Sequence, residues 1–95
     1  MEFLVLARRR TEAFTEEEFA TLLDDEAEAM RALYAEGAVR SAWSRSDVLG
    51  AAFLLEADTH DHAQSLIARL PLAQRNMLEM QIVPLKGYRG FGPRT

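Results

Sequence analysis

The sequence predicts an α+β fold of order β-α-β-β-α-β, and three observations carry that prediction. Residues 2 to 8, EFLVLAR, form a run rich in large apolar side chains that reads as a strand. Two longer stretches carry helical periodicity behind capping residues. Three further short apolar runs, 38–45, 51–57 and 77–85, complete a set of four strands.

Each element has a local reason. Thr15 followed by Glu18 is a capping box, which starts a helix at about Glu16, and Gly37 ends it as the residue beyond the cap. AVRSAWSR, 38–45, alternates as a second strand, and the polar turn SDVLG leads to AAFLLEA, 51–57, as a third. DTHDHAQ supplies cap residues for a second helix, in which Ala63, Leu66, Ile67 and Leu70 share one face, and Pro71 is read as its stop. MLEMQIVPL, 77–85, is the fourth strand. KGYRGFGPRT is a glycine-rich tail, read as lacking regular structure, with Tyr88 and Phe91 able to lid a neighbouring subunit's pocket as the alternative. The domain is thus placed at 1–86 and the tail at 87–95.

This order is the split-βαβ, ferredoxin-like arrangement: a four-stranded antiparallel sheet with both helices on one face and the first and third strands central. Phe3, Val5 and Ala7 form one face of strand one, Leu4 and Leu6 the other; strand three divides into Ala51, Phe53, Leu55 and Ala52, Leu54. Both faces of both central strands are apolar, while helices cover only one. A second copy of the chain is the simplest cover for the other, so a homodimer or higher homo-oligomer is expected.

Ninety-five residues allow one small domain, which often gains stability by association. No run is long and apolar enough for a membrane span, and no secretion signal is read at the N-terminus, so a cytoplasmic, membrane-free protein is expected. There is no cysteine, which excludes disulfides and thiol chemistry. A net charge of −4 speaks against nucleic-acid binding. Acids crowd residues 16–36, with Arg31 the one base among them, while Arg8 to Arg10 read as a solvated strand end.

One acid breaks the pattern. At roughly 100° per residue, Phe19, Leu22, Leu23, Met30 and Leu33 all fall within about 60° of Glu26. Asp24 and Glu28 point the other way. An acid at the centre of a sheet-facing stripe costs free energy unless paired or used. Glu26 is therefore the candidate general acid/base, in a pocket whose desolvation would raise its pKa; a paired core acid is the structural alternative. The groups placed around such a pocket are Tyr34 on the edge of the same helical face, Trp43, Met30, Leu4, Leu6 and Phe53.

His60 and His62 with Asp58 and Asp61 suggest a metal, but the two rings diverge and no third ligand is evident, so a capping-turn role is favoured and no metal is expected. Neither a G-x-G-x-x-G nor a P-loop occurs, which leaves nucleotide cofactors without support.

The stretch DDEAEAMRALYAEGAVRSAWSR resembles muconolactone isomerases, through Asp25, Glu26, Leu33, Glu36, Gly37, Arg40 and Trp43. ARLPLAQ is similar to that family's Leu-Pro-Leu, here Leu70, Pro71 and Leu72. The resemblance spans roughly 1–86 and implies a dimeric α+β barrel with cofactor-free proton transfer. Glu26 would shuttle a proton through a dienolate, and Trp43 would wall the pocket. Where those isomerases carry polar and basic residues on strand one, this chain has Leu4 and Leu6, which points to a larger, more apolar enol, ketone or lactone. The expected function is a cofactor-independent isomerase or cyclase acting on a small enolisable molecule. The alternatives are a cofactor-free oxygenase of an aromatic polyketide and a non-catalytic oligomeric ligand-binding module.

Overall fold

The computed structural model describes residues 1–93. Its strands are β1 (Glu2–Arg9), β2 (Val39–Ser44), β3 (Gly50–Glu56) and β4 (Leu78–Leu85). Its helices are α1 (Glu16–Ala20), α2 (Leu23–Ala35), α3 (His60–Ile67) and α4 (Pro71–Gln74). The sheet order is β2-β3-β1-β4 and every pairing is antiparallel, so β1 and β3 are central as the sequence predicts.

Register sorts the side chains into two faces. Phe3 pairs with Leu55 and Pro84, Val5 with Phe53 and Ile82, and Ala7 with Ala51 and Met80. Phe3, Val5, Phe53 and Leu55 are fully buried with Leu33 of α2 and with Ala63 and Ile67 of α3, so both helices lie over this face. Burial of each such large side chain stabilises by about 1.5–3 kcal/mol. Leu4, Leu6, Ala52 and Leu54 occupy the other face and are half-buried. A smaller cluster of Ala7, Phe19, Leu72, Met77 and Leu78 closes one end of the sheet.

Three local details depart from the sequence expectation. The first helical stretch is broken at Thr21 and Leu22, where the Thr21 hydroxyl donates back to the Glu18 carbonyl and the Leu22 N–H turns to the Phe19 carbonyl. Phe19 therefore belongs to α1, and the single wheel that placed it beside Glu26 does not run across the break. Pro71 does not stop a helix; it opens α4 as its first residue, where the missing N–H costs nothing, and α3 has already ended at Ile67. The tail carries a 3₁₀ turn at Arg89–Phe91, in which the Tyr88 and Phe91 rings meet edge-on at 4.9 Å; the end of the tail at 94–95 lies outside the described residues.

The caps follow the sequence closely. The Thr15–Glu18 capping box is complete. Gly37, at φ 83°, donates to the Tyr34 carbonyl while Ala38 donates to Leu33, the paired bonds of a Schellman motif. Among the described residues, no helix is long and apolar enough to cross a membrane.

Candidate functional site

A cleft of about 410 Å³ opens on the helix-covered side of the sheet. Its floor is Ala7 of β1, Ala51 and Phe53 of β3 and Leu78 of β4; Leu23, Glu26, Ala27 and Met30 of α2 form one wall, and Leu70 with Leu72 closes the end. The lining is mainly apolar, with Glu26, Arg9 and Ser44 supplying its polar side chains.

Glu26 sits one turn into α2 and is half-buried, while Asp24, Asp25 and Glu28 on the same helix are exposed. Its Oε1 accepts the backbone N–H of Leu72 at 2.9 Å. This is a cap supplied from another element. Leu70, at the N-cap of α4, offers no side-chain acceptor, and Pro71 has no N–H, so the Leu72 N–H is the first donor of α4 and Glu26 takes it. Among the described residues Glu26 makes no other side-chain hydrogen bond, which leaves Oε2 unengaged. Burial pushes the Glu26 carboxyl above the ordinary glutamate value, while the Leu72 N–H and the positive charge of Arg9 pull against that rise without cancelling it.

The other predicted residues separate. Met30 and Phe53 line the cleft with Glu26. Trp43 reaches the cleft at the β2 edge, but its Cα pairs with Ala52, which puts it on the Leu6 side of the sheet, and it is 54 % exposed. Leu4 and Leu6 lie on the opposite face and do not line the cleft, because register alternates them with Phe3, Val5 and Ala7. Tyr34, two turns beyond Glu26 and rotated by about 80°, is 64 % exposed and also stands outside it. A bulge interrupts the register between Val39 and Ser41, and the Met1 ammonium, hydrogen-bonded to Glu56 at 2.8 Å, lowers the Glu56 pKa with a smaller contribution from Arg40. His62 Nδ1 accepts the Asp58 N–H in the turn capped by Thr59, and His60 stands edge-on to Phe3 at 6.1 Å.

Sequence reasoning missed Arg9. Treating Arg8 to Arg10 as one solvated run concealed that Arg9 continues the alternation of Phe3, Val5 and Ala7 onto the helix-covered face. Arg8 faces the other way and bonds Glu12 and Glu79; Arg10 donates to the Asn76 carbonyl. Arg9 instead reaches the cleft, its guanidinium 5.7 Å from the centre of the Phe19 ring.

Comparison with known proteins bears on this arrangement. The family model described as muconolactone delta-isomerase matches residues 1–90. The chain belongs to the muconolactone delta-isomerase family. The resemblance read from Asp25 to Trp43 and from Leu70 to Leu72 is thereby confirmed at the level of family, and membership places the chain among enzymes that convert small molecules. Among solved structures, the fold is similar to a 5-chloro-2-hydroxyhydroquinone dehydrochlorinase from Burkholderia phenoliruptrix in complex with 2,5-dihydroxybenzoquinone. The TM-score is 0.69 at 15 % identity, over 95 % of this chain and 98 % of that one. A comparison with curated proteins found no match.

Within the family frame, several residues of the resemblance do structural work. Leu33 is core, Gly37 terminates α2, and Glu36 forms a bidentate pair with Arg69, with an Nη1 to Oε1 distance of 2.8 Å. Glu26 and the Leu70–Leu72 segment meet through one hydrogen bond at the cleft.

Proposed function

We propose that the protein is a cofactor-independent isomerase or cyclase that moves a proton on an enolisable, largely apolar small molecule, with Glu26 as general acid/base. The observation that carries this reading is a half-buried glutamate at an apolar cleft, its pKa raised by burial and one of its two oxygens tethered. A base of this kind works best when its pKa approaches the working pH. Oε2 of the carboxylate takes a proton from the carbon next to a carbonyl, and the electron pair delocalises as an enolate or dienolate. The resulting carboxylic acid returns the same proton to a carbon further along the conjugated system. No net redox change and no group transfer are needed.

Met30, Phe53 and the Leu70–Leu72 segment supply apolar contact for the substrate, and Trp43 borders the cleft from the β2 edge. The solved neighbour holds a dihydroxybenzoquinone, which supports including hydroxylated quinonoid enols beside lactones and cyclic ketones in a substrate panel. A homodimer covering the Leu4, Leu6, Ala52 and Leu54 face belongs to the same reading, as does a cytoplasmic setting.

The test is proton exchange into such a panel in deuterated buffer, followed by NMR, with wild type and Glu26→Gln. A loss of about 10²- to 10⁴-fold in exchange for a folded Glu26→Gln supports the general base. Undiminished exchange refutes it. The hydrogen bond to Leu72 favours a second reading, in which Glu26 caps α4 and the cleft binds a ligand without chemistry; there Glu26→Gln would leave ligand binding intact and no panel member would exchange.

A further inference from the structure

The cleft at Glu26 shares part of its lining with a second cavity, of about 590 Å³: Arg9 and Leu23 border both. Leu23 is the first residue of α2, immediately beyond the break at Thr21 and Leu22, and stands about one turn before Glu26 on the same helix. Phe14, Phe19 and Leu49 complete the apolar lining of the second cavity, and the exposed Thr15 and Glu16 also border it. Each cavity by itself falls within the range of about 300–1,000 Å³ usual for small-molecule sites.

The walls of the second cavity are held by the protein itself. The Phe14 and Phe19 rings meet edge-on at 6.1 Å, with the guanidinium of Arg10 5.9 Å from the first ring centre and that of Arg9 5.7 Å from the second. Arg10 is tied in turn to the Asn76 carbonyl. Leu49 is set by its backbone: its carbonyl accepts the Arg9 N–H at 2.8 Å, and two bonds from Arg45 to Asp47 brace the turn that carries it. Its side chain belongs to neither core cluster and is 56 % exposed. Trp43 borders the first cavity from the other end of the same β2–β3 connection, so that connection offers one exposed apolar side chain to each cavity. A pocket fixed in advance binds with a smaller ordering cost than one its ligand must organise.

We propose that the second cavity is the distal subsite of the Glu26 cleft, and that the substrate is a two-part molecule: an enolisable group at Glu26, joined past Leu23 to an uncharged aryl or alicyclic arm seated among Phe14, Phe19 and Leu49. This rests on the proton-transfer reading above and adds to it the length and shape of the substrate. Arg9 and Glu16 border the distal cavity with opposite charges, so an ionised arm of either sign meets a like charge there, whereas a neutral ring suits the two phenylalanines. Leu23 and Leu49 set the length preference, the first flanking the passage between the cavities and the second forming the exposed wall of the distal one.

The test uses two constitutional isomers, 4-phenylcyclohexanone and 2-phenylcyclohexanone. They share the enolisable ring and differ in reach, since the first carries its phenyl group opposite the carbonyl and the second beside it. Isothermal titration calorimetry is run on wild type, Leu49→Trp, Leu49→Asp, Leu23→Trp and Glu26→Gln. Burial of one phenyl ring in the distal cavity should make wild type prefer the 4-phenyl isomer by about tenfold. Leu49→Trp fills that cavity and Leu49→Asp charges it, both from an exposed position, so each should level the preference. Leu23→Trp should do the same by narrowing the passage, and the two Leu49 variants keep the test decisive if it does not fold. Glu26→Gln should retain the preference. A preference absent from wild type, or unchanged in a folded Leu49→Trp or Leu49→Asp, overturns the proposal. A changed oligomeric state of Leu49→Trp by light scattering, with the preference intact, assigns the cavity to a neighbouring subunit and equally overturns it. The two readings fail separately. Lost proton exchange in Glu26→Gln, together with an unaltered isomer preference in Leu49→Trp, keeps the base and discards the distal subsite. Preserved exchange in Glu26→Gln with a levelled preference in Leu49→Trp keeps the subsite and discards the base.

Discussion

Replacing Glu26 by alanine and by glutamine separates two things the carboxylate does at once. Glu26→Ala removes the acceptor for the N–H of Leu72, a residue only 2 % exposed. A buried donor left without a partner costs about 1–3 kcal/mol. Part of that is offset because no carboxylate is desolvated any longer, so a net loss of about 1–2 kcal/mol is expected. In a chain of this size each kcal/mol moves Tm by about 4–8 °C, which makes the fall roughly 4–16 °C. Glu26→Gln keeps an amide oxygen for Leu72 and deletes the charge. Burial raises the native pKa of Glu26 above its ordinary 4.5. Between those two values the native state holds a proton that the unfolded chain releases, so wild-type stability falls as pH rises through the window. Below the ordinary value the carboxyl is protonated in both states and the penalty is absent. Glu26→Gln should therefore melt with wild type in acid and above it in neutral and mildly alkaline buffer. Circular-dichroism melts across that range provide the assay. Equal Tm for the alanine and glutamine variants would refute a working hydrogen bond to Leu72. A glutamine advantage that shrinks with rising pH would refute burial as the dominant influence on Glu26.

Two further outcomes follow from the sheet and its turns. Leu6→Glu places a charge on the half-buried face away from the helices, so it should dissociate the proposed homodimer without unfolding the chain; light scattering after size exclusion, with a red shift of Trp43 emission, checks this. A wild type that is monomeric at high concentration would sink the oligomer idea. Gly37→Ala meets no atom within 4 Å and should lose only the cost of a non-glycine residue at φ 83°, about 1–2 kcal/mol. Gly50→Ala would put a Cβ 2.0 Å from the Ala7 carbonyl oxygen, backbone against backbone, and should lose more than Gly37→Ala in the same urea titration.

Much of this was legible in the sequence because the signals were local. The capping box at Thr15, the Schellman glycine at position 37 and the period-2 apolar runs each act within a few residues, and each appears as read. The inward turn of Glu26 was legible for the same reason, since it depends on α2 alone. What escaped depended on partners distant in the chain or on a competing local bond. Thr21 broke the long helix because its hydroxyl found the Glu18 carbonyl. Pro71 reads as a stop until its role as the first residue of a new turn is seen. Arg9 escaped because charge runs were read as blocks, whereas a strand assigns each arginine to a face by parity; extending Phe3, Val5 and Ala7 by one more step would have found it.

That parity also changes what the leucines of strand one mean. From the sequence, Leu4 and Leu6 stand where the resembled isomerases carry polar and basic residues, and so point to a larger, more apolar substrate. Register puts them on the face away from Glu26, outside the cleft. The basic side chain that strand one does send to the cleft is Arg9. Pro71 acts on this site from far along the chain, beside the Leu72 that lies 46 residues beyond Glu26. By withholding its own N–H it makes the Leu72 N–H the first donor of α4. That donor engages one carboxylate oxygen and leaves the other without a hydrogen bond among the described residues. The Leu-Pro-Leu segment and the glutamate are thus joined at the cleft: the acid caps α4 through one oxygen and keeps the other free of any hydrogen bond among the described residues.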